Sequence, residues 1–336
     1  MVIAANASVG KPWAHHATAI LAGLLAGAVF LFGVFDMTVA GSVHNPLAVD
    51  IGIMVTGLAA AGLASKPVRE RAARLIPIDP DNPVHSLALV LAVILLGTQI
   101  ASLAFTNVLA ADQQLPPLNI GDLLGQEVPF LVIALAGVGL WVRRNLAASA
   151  DRLGVVVPAW WHMALALAAA GVFFGIGQLS GYLSQTLTPG IAQQVDQSSQ
   201  HLFGGLTGAT GIVALALIPG ICEEILFRGA LQPRFGLLLT AVLFAAIHTE
   251  YGLSIDVLAI LVIALGLGAI RKYTNTTTSI VCHVTYNLLI GLSLGGAILV
   301  AGIGVEVVLV AVVGYVLWSR RRPSGEQAMV ENASVR

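Results

Sequence analysis

The sequence predicts an all-α, polytopic membrane helical bundle of about ten transmembrane helices with both termini cytoplasmic, and three observations carry that expectation. The chain is 57% hydrophobic and 10% charged, against roughly 25% charged for an average soluble domain. Apolar windows of about 20 residues recur along most of its length. Finally, the 16 Lys and Arg residues fall only at alternate connections between those windows, which is the positive-inside bias.

In order, the spans read 16–36, 46–64, 85–109, 127–142, 159–184, 205–230, 235–250, 253–270, 276–295 and 297–318, with the fourth and seventh short. With Lys11 placed in the cytoplasm, the same side receives Lys66, Arg69, Arg71 and Arg74, then Arg143, Arg144 and Arg152, then Arg228 and Arg234, then Arg271 and Lys272, and last Arg320, Arg321, Arg322 and Arg336. The opposite connections, 37–45, 110–126, 185–204, 251–252 and 296, carry none. The first apolar run, Ala17 to Phe35, is longer than a signal-peptide core, so it reads as a retained helix although Thr38-Val39-Ala40 is a passable cleavage tripeptide.

Composition divides the chain into two N-terminal helices with a basic, Pro-containing cytoplasmic linker (1–84), three further helices (85–204), a core (205–295), and a last helix with a disordered cytoplasmic tail (296–336). The segment 185–204, with Thr188-Pro189-Gly190 and many Gln and Ser, reads as an exposed polar loop. The expected location is the plasma membrane, as a multi-pass protein. A net charge of −1 with no basic block interleaved with aromatics argues against a nucleic-acid partner. Two cysteines, Cys222 and Cys282, exclude a disulfide scaffold and read as small buried hydrophobes. The lack of an internal repeat argues against an inverted-repeat transporter.

Candidate functional residues stand out because they interrupt hydrocarbon. Glu223 and Glu224 are adjacent carboxylates in a very apolar stretch, and such groups are costly in a bilayer unless paired, protonated or facing a wet cavity. Glu224 and Arg228 are i and i+4, which suits an ion pair fixing the helix. Glu223 lies about 100° around the helix and faces other neighbours. Pro219, four residues before Glu223, removes a backbone hydrogen bond, and the freed carbonyl needs water or a protein partner.

Two later spans each bring polar groups inward: Phe244-x-x-x-His248 and His283-x-x-x-Asn287. At 1.5 Å per residue, Glu223 lies about 16 Å from Arg234, His248 about 21 Å from Arg234 and His283 about 16 Å from Lys272, so the three share a layer near mid-membrane. A desolvated Glu is a general base for water, and His and Asn donors can stabilise an oxyanion. That is equipment for amide hydrolysis. No serine or cysteine nucleophile sits beside a base, and no His-Glu-x-x-His helix occurs.

Glu223-Glu224-x-x-x-Arg228, Phe244-x-x-x-His248 and His283-x-x-x-Asn287, in this order on separate apolar helices, resemble the three motifs of the CPBP intramembrane proteases, the CAAX protease and abortive-infection family. The resemblance covers about 205–295. It implies a catalytic Glu223, a His248 that binds or activates water, an oxyanion site from His283 and Asn287, and support from Glu224 and Arg228. It leaves the cofactor open: none, with Glu223 acting alone as base, or Zn held by Glu223, His248 and His283. The metal-free form is favoured, because a buried Glu with oxyanion donors already suffices. The expected partners are the lipid bilayer and a membrane-associated peptide or protein substrate, and the prenylated CAAX substrate is not carried over. Two alternatives stand beside this reading. One is a non-catalytic immunity or scaffold protein of the same family; the other is a transporter, suggested by Gln99, Gln178, Asp256 and Glu306.

Overall fold

A computed structural model of the protein describes residues 1–11, 13–38, 45–292 and 296–321. Val39 and Ala40 of the cleavage-like tripeptide, most of the 37–45 connection, and the 322–336 part of the expected tail lie outside the described residues. Each of the ten expected spans corresponds to a helix. They are α2 (Ala14–Thr38), α3 (Leu47–Leu63), α5 (Pro83–Phe105), α7 (Ile120–Val138), α9 (Trp160–Leu187), α11 (Ala209–Glu224), α12 (Gln232–Ala246), α13 (Ile255–Tyr273), α14 (Thr276–Gly291) and α15 (Gly296–Arg321). Shorter helices join them: α1 (Val2–Ser8), α4 (Lys66–Ala72), α6 (Val108–Asp112), α8 (Leu146–Leu153) and α10 (Pro189–Phe203).

The protein is a multi-pass membrane helical bundle. Among the described residues, six segments are long and apolar enough to cross a membrane, or seven if α3 and α4, bent by 94°, form one span. Ten helices yield so few because α11 and α12 run on as one 38-residue segment, and α3 and α14 have only 17 and 16 residues. In addition, α13 holds Asp256, Arg271 and Lys272 within its 19 residues.

Two expectations shift. The fourth span begins at Ile120 rather than 127, because Asn119 and Asp122 form a capping box that starts the helix earlier, and Gly139 in the left-handed region ends it. The expected polar loop 185–204 is largely helix α10. Pro189 occupies its first turn, where the missing N–H costs nothing, and Ala192, Val195 and Leu202 bury one face.

The main core runs from Ala22 and Ala26 of α2 through Ala60, Leu89 and Val90 to Phe235, Phe244 and Ala264, so the N-terminal helices and the core helices share one apolar interior. A second cluster joins α9, α13 and α14 around Phe173, Leu267 and Cys282. At the basic end of the bundle, arginines close helix C-termini whose last carbonyls lack partners. Arg69 donates to the Leu63 and Ala64 carbonyls at the end of α3 (3.1 and 2.6 Å), and Arg144 donates to the Val138 carbonyl at the end of α7. Arg143 holds the Asn6 side chain (2.9 and 2.5 Å), and Asn6 in turn donates to the Ala136 and Gly137 carbonyls.

Candidate active site

Proline chemistry shapes the helix that carries the acid pair. Pro219 has no N–H, so the Leu215 carbonyl four residues earlier loses its helical donor. The Asn287 amide of α14 takes that place, 3.4 Å from the carbonyl. Pro233 repeats the device one helix further on. The Gly229 carbonyl, four residues before it, accepts from Arg152 Nη1 at 3.3 Å. Between the two prolines the chain widens into a π-helical run, Ile225–Leu231, directly after Glu224, and such bulges concentrate at functional sites. Gly236, with φ 76°, breaks the helix beyond it. Close approach of α11 and α14 depends on Gly220, where an added Cβ would fall 2.7 Å from Val284 Cγ2 and 3.2 Å from its backbone N.

The two carboxylates have opposite surroundings. Glu224 is fully buried and satisfied: Ser279 Oγ and His283 Nδ1, the latter at 3.1 Å, both donate to it, and Arg228 Nε lies 3.4 Å away. Arg228, only 1% exposed, also reaches the Ala264 carbonyl (3.4 Å) and stacks 4.2 Å over the Phe244 ring. Glu223 is 5% exposed, and its Oε2 has no hydrogen-bond partner among the described residues. That oxygen faces His283 Nε2 at 4.0 Å.

Because a carboxylate only accepts, the Glu224 contact places the His283 proton on Nδ1 and turns Nε2 toward Glu223. A gap of 4.0 Å is too long for a direct hydrogen bond and is the kind of separation one water bridges. Phe244 is the plate around which the rest assembles. Its ring lies 4.7 Å from His248 and 5.9 Å from His283, and its carbonyl contacts His248 Nδ1 at 2.8 Å, which leaves His248 Nε2 available.

Of the residues singled out in the sequence, the structure thus brings together Glu223, Glu224, Arg228 and His283, with His248 joined through Phe244. Asn287 lies on the same face of α14 but is engaged with α11. Cys222 and Cys282 are buried free thiols, as expected. Asp256 is held by Ser180 and Ser184 (2.6 and 2.8 Å), a satisfied connection between α9 and α13. Glu306 lies over Gly171 of α9, where a Cβ would collide with its carboxylate.

Sequence reasoning missed two residues. Ser279 sits four positions before His283, so 279, 283 and 287 form one polar stripe, and a serine in an apolar helix is a weaker signal than His or Asn. Glu127 of α7, 8% exposed, also has an oxygen with no hydrogen-bond partner among the described residues. Its helix packs against α11 and the π-helical run, which sets Glu127 among the charged groups around Glu223. The capping box at Asn119 was the available signal, since it sets Glu127 two turns inside the span rather than at its edge.

The Zn alternative requires Glu223, His248 and His283 to converge as ligands. Among the described residues, no three His, Cys, Asp or Glu side chains are grouped closely enough to hold a metal ion. These side chains therefore do not fit a three-ligand centre in this arrangement.

Residues 205–289 match the family model described as type II CAAX prenyl endopeptidase Rce1-like. This segment belongs to the CPBP/CAAX protease family. No curated protein and no solved structure matches the chain. The CAAX-protease segment begins just before α11 and ends within α14, so it contains all three motifs. Glu127 and Arg152 lie outside it, on helices that pack against it. The apolar spans associate the chain with the membrane.

Proposed function

We propose that this chain is an intramembrane endopeptidase that hydrolyses a peptide bond in a membrane-associated protein or peptide, using water activated by Glu223. The observation that carries the reading is the unpaired, buried Glu223 oxygen set against His283 Nε2, beside a Glu224 whose needs are already met. In this scheme Glu223 removes a proton from a water lying between it and His283, and the resulting hydroxide attacks the peptide carbonyl carbon. His248 helps to bind that water. His283 takes up a second proton from solvent on Nε2 and donates it as a hydrogen bond to the oxyanion, while Glu224 balances the charge from the Nδ1 side. The C–N bond then breaks, and the proton held by Glu223 passes to the departing amine.

Arg228 and Ser279 keep Glu224 in place and so act as positioning residues. Asn287, which the family resemblance puts in the oxyanion site, is assigned here to the Leu215 carbonyl, where it braces α11. The test uses purified full-length protein and fluorescence-quenched peptides carrying an apolar anchor, with and without chelator. Glu223→Gln is expected to abolish cleavage while the melting temperature stays at or above wild type. Wild-type activity in that variant would end the proposal, and loss of activity on chelation would replace the mechanism with a metal-dependent one.

A further inference from the structure

The basic end of the bundle contains more guanidinium groups than its helix ends use. Arg69, Arg143 and Arg144 each have carbonyl or side-chain acceptors. A second set is different. Arg152 closes α8, Arg271 lies in the last turn of α13, and Arg234 precedes the Gly236 break that ends the helix carrying the acid pair. Arg152 gives one donor to the Gly229 carbonyl. The buried Nε atoms of Arg234 and Arg271 meet no acceptor among the described residues.

These groups share one neighbourhood. Among the described residues, the charged groups that act on Arg152 are Arg234, Arg144 and Arg271. Burial first, and then these three cations, hold the Arg152 guanidinium below the ordinary arginine range, at about 10, so it remains charged at neutral pH. Across the rim, His85 faces Arg234, Arg152 and Arg143, with Asp79 as the one acid acting on it among the described residues. The scaffold is fixed. Gly154, with φ 72°, caps α8, and the bare glycine lets the Arg271 guanidinium lie against it, since a Cβ there would be 2.8 Å from Arg271 Cζ. The Gly154 and Leu153 carbonyls accept from the Thr276 N–H (2.9 Å) and hydroxyl (2.5 Å), which ties α8 to the start of α14.

Cations that outnumber the carboxylates around them in this way repel one another unless an anion joins them. Guanidinium forks match a phosphate group, and basic pockets between helices at the cytoplasmic surface are where lipid headgroups bind. We propose that Arg152, Arg234 and Arg271 form a receptor for a phosphate group, the chemistry shared by anionic lipid headgroups and free phosphate. The site is separate from Glu223 and does not depend on the proteolytic reading.

The test uses the full chain in nanodiscs of phosphatidylcholine alone or with phosphatidylglycerol, and separately in detergent with inorganic phosphate. Thermal unfolding and native mass spectrometry are the readouts. Phosphatidylglycerol is expected to raise the melting temperature and to remain bound on desolvation. Each of Arg152→Gln, Arg234→Gln and Arg271→Gln should lower retention several-fold, and the triple variant should lose the shift. Arg234→Lys keeps the charge and checks that folding survives, and Arg320→Gln, at the Trp161 ring on the same end, should retain the lipid. A shift from inorganic phosphate alone that the triple variant lacks would support the same receptor with a soluble ligand. Equal lipid retention and equal shifts in wild type and triple variant would overturn the proposal, as would stability losses in the arginine variants that are the same with and without either anion.

Discussion

The 209–246 segment and helix α15 are both apolar enough to cross a membrane, yet their most apolar windows are 50% and 11% buried. The covered segment holds Glu223, Glu224 and Arg228, enclosed between them by α13, α14 and the Phe244 ring, with Arg234 further along at its rim. The uncovered one has a single carboxylate, Glu306, turned against the bare backbone of Gly171. Charge in the span thus tracks cover by other helices. Hydrocarbon offers no partners, so a polar side chain persists where neighbouring helices supply donors, acceptors or water.

The largest test of this contrast removes a partner inside the covered segment. Glu224→Ala leaves Arg228 buried and uncompensated, and it also frees the His283 ring and Ser279. Breaking a buried pair from one side costs about 3–5 kcal/mol, so this variant should unfold at markedly lower temperature or denaturant and lose activity. Glu223→Gln, one residue away, removes a carboxylate that has no hydrogen bond to its Oε2, and should leave stability unchanged or higher. Equal stability losses at both positions would show that the two carboxylates do not differ in the way the structure indicates.

Cover also requires close approach. Gly220→Val pushes against the Val284 backbone as well as its side chain, which a rotamer change cannot relieve. Overpacking of this kind costs about 1–3 kcal/mol. The same substitution at Gly302 of α15, where nothing lies within 4 Å of the added Cβ, should fall within about 0.5 kcal/mol of wild type. Matching losses at the two glycines would remove the distinction between covered and uncovered helices.

A smaller effect isolates one hydrogen bond. Asn287→Ala orphans the Leu215 carbonyl at an expected cost of about 1 kcal/mol. Pro219→Ala supplies the missing N–H, so the double variant should regain most of the lost stability. If Asn287 instead serves the oxyanion, Pro219→Ala will leave catalysis lost in the double variant even as stability returns. Measuring unfolding and peptide cleavage on the same four proteins of the cycle separates the two roles.

These residues also mark what the sequence can and cannot disclose. Glu224 with Arg228, and His283 with Asn287, were legible because i and i+4 spacing is local, and the spans were legible because 20-residue apolar windows are long. The Asn287 partner was not legible, because Leu215 lies 72 residues away and the need arises from Pro219 rather than from either residue. Helix α10 was hidden by Thr188-Pro189-Gly190, where the same proline signals either a turn or the first turn of a helix, depending on whether the residues after it bury a common face. Glu127 was hidden by a seven-residue error in the start of α7, enough to move it from a loop edge into the site's surroundings.

At the rim of the covered segment the contrast is read by pH. Glu250 lies in the 3-10 turn Thr249–Tyr251, beyond the end of α12. Burial, opposed by a backbone hydrogen bond and reinforced by Asp112 and Glu127, raises its carboxyl from an ordinary 4.5 to about 7. Burial also raises Asp112, against a hydrogen bond from Ser198. Between pH 4.5 and 7 the folded chain then holds a proton on Glu250 that the unfolded chain has released. Stability from this group is therefore greatest in acid and is lost as pH climbs through that interval. The melting temperature should fall from pH 5 to pH 8, and Glu250→Gln should flatten the slope, leaving the share from Asp112. An unchanged slope in that variant would mean that water reaches the turn freely, and that the cover protecting Glu223 and Glu224 ends before Glu250.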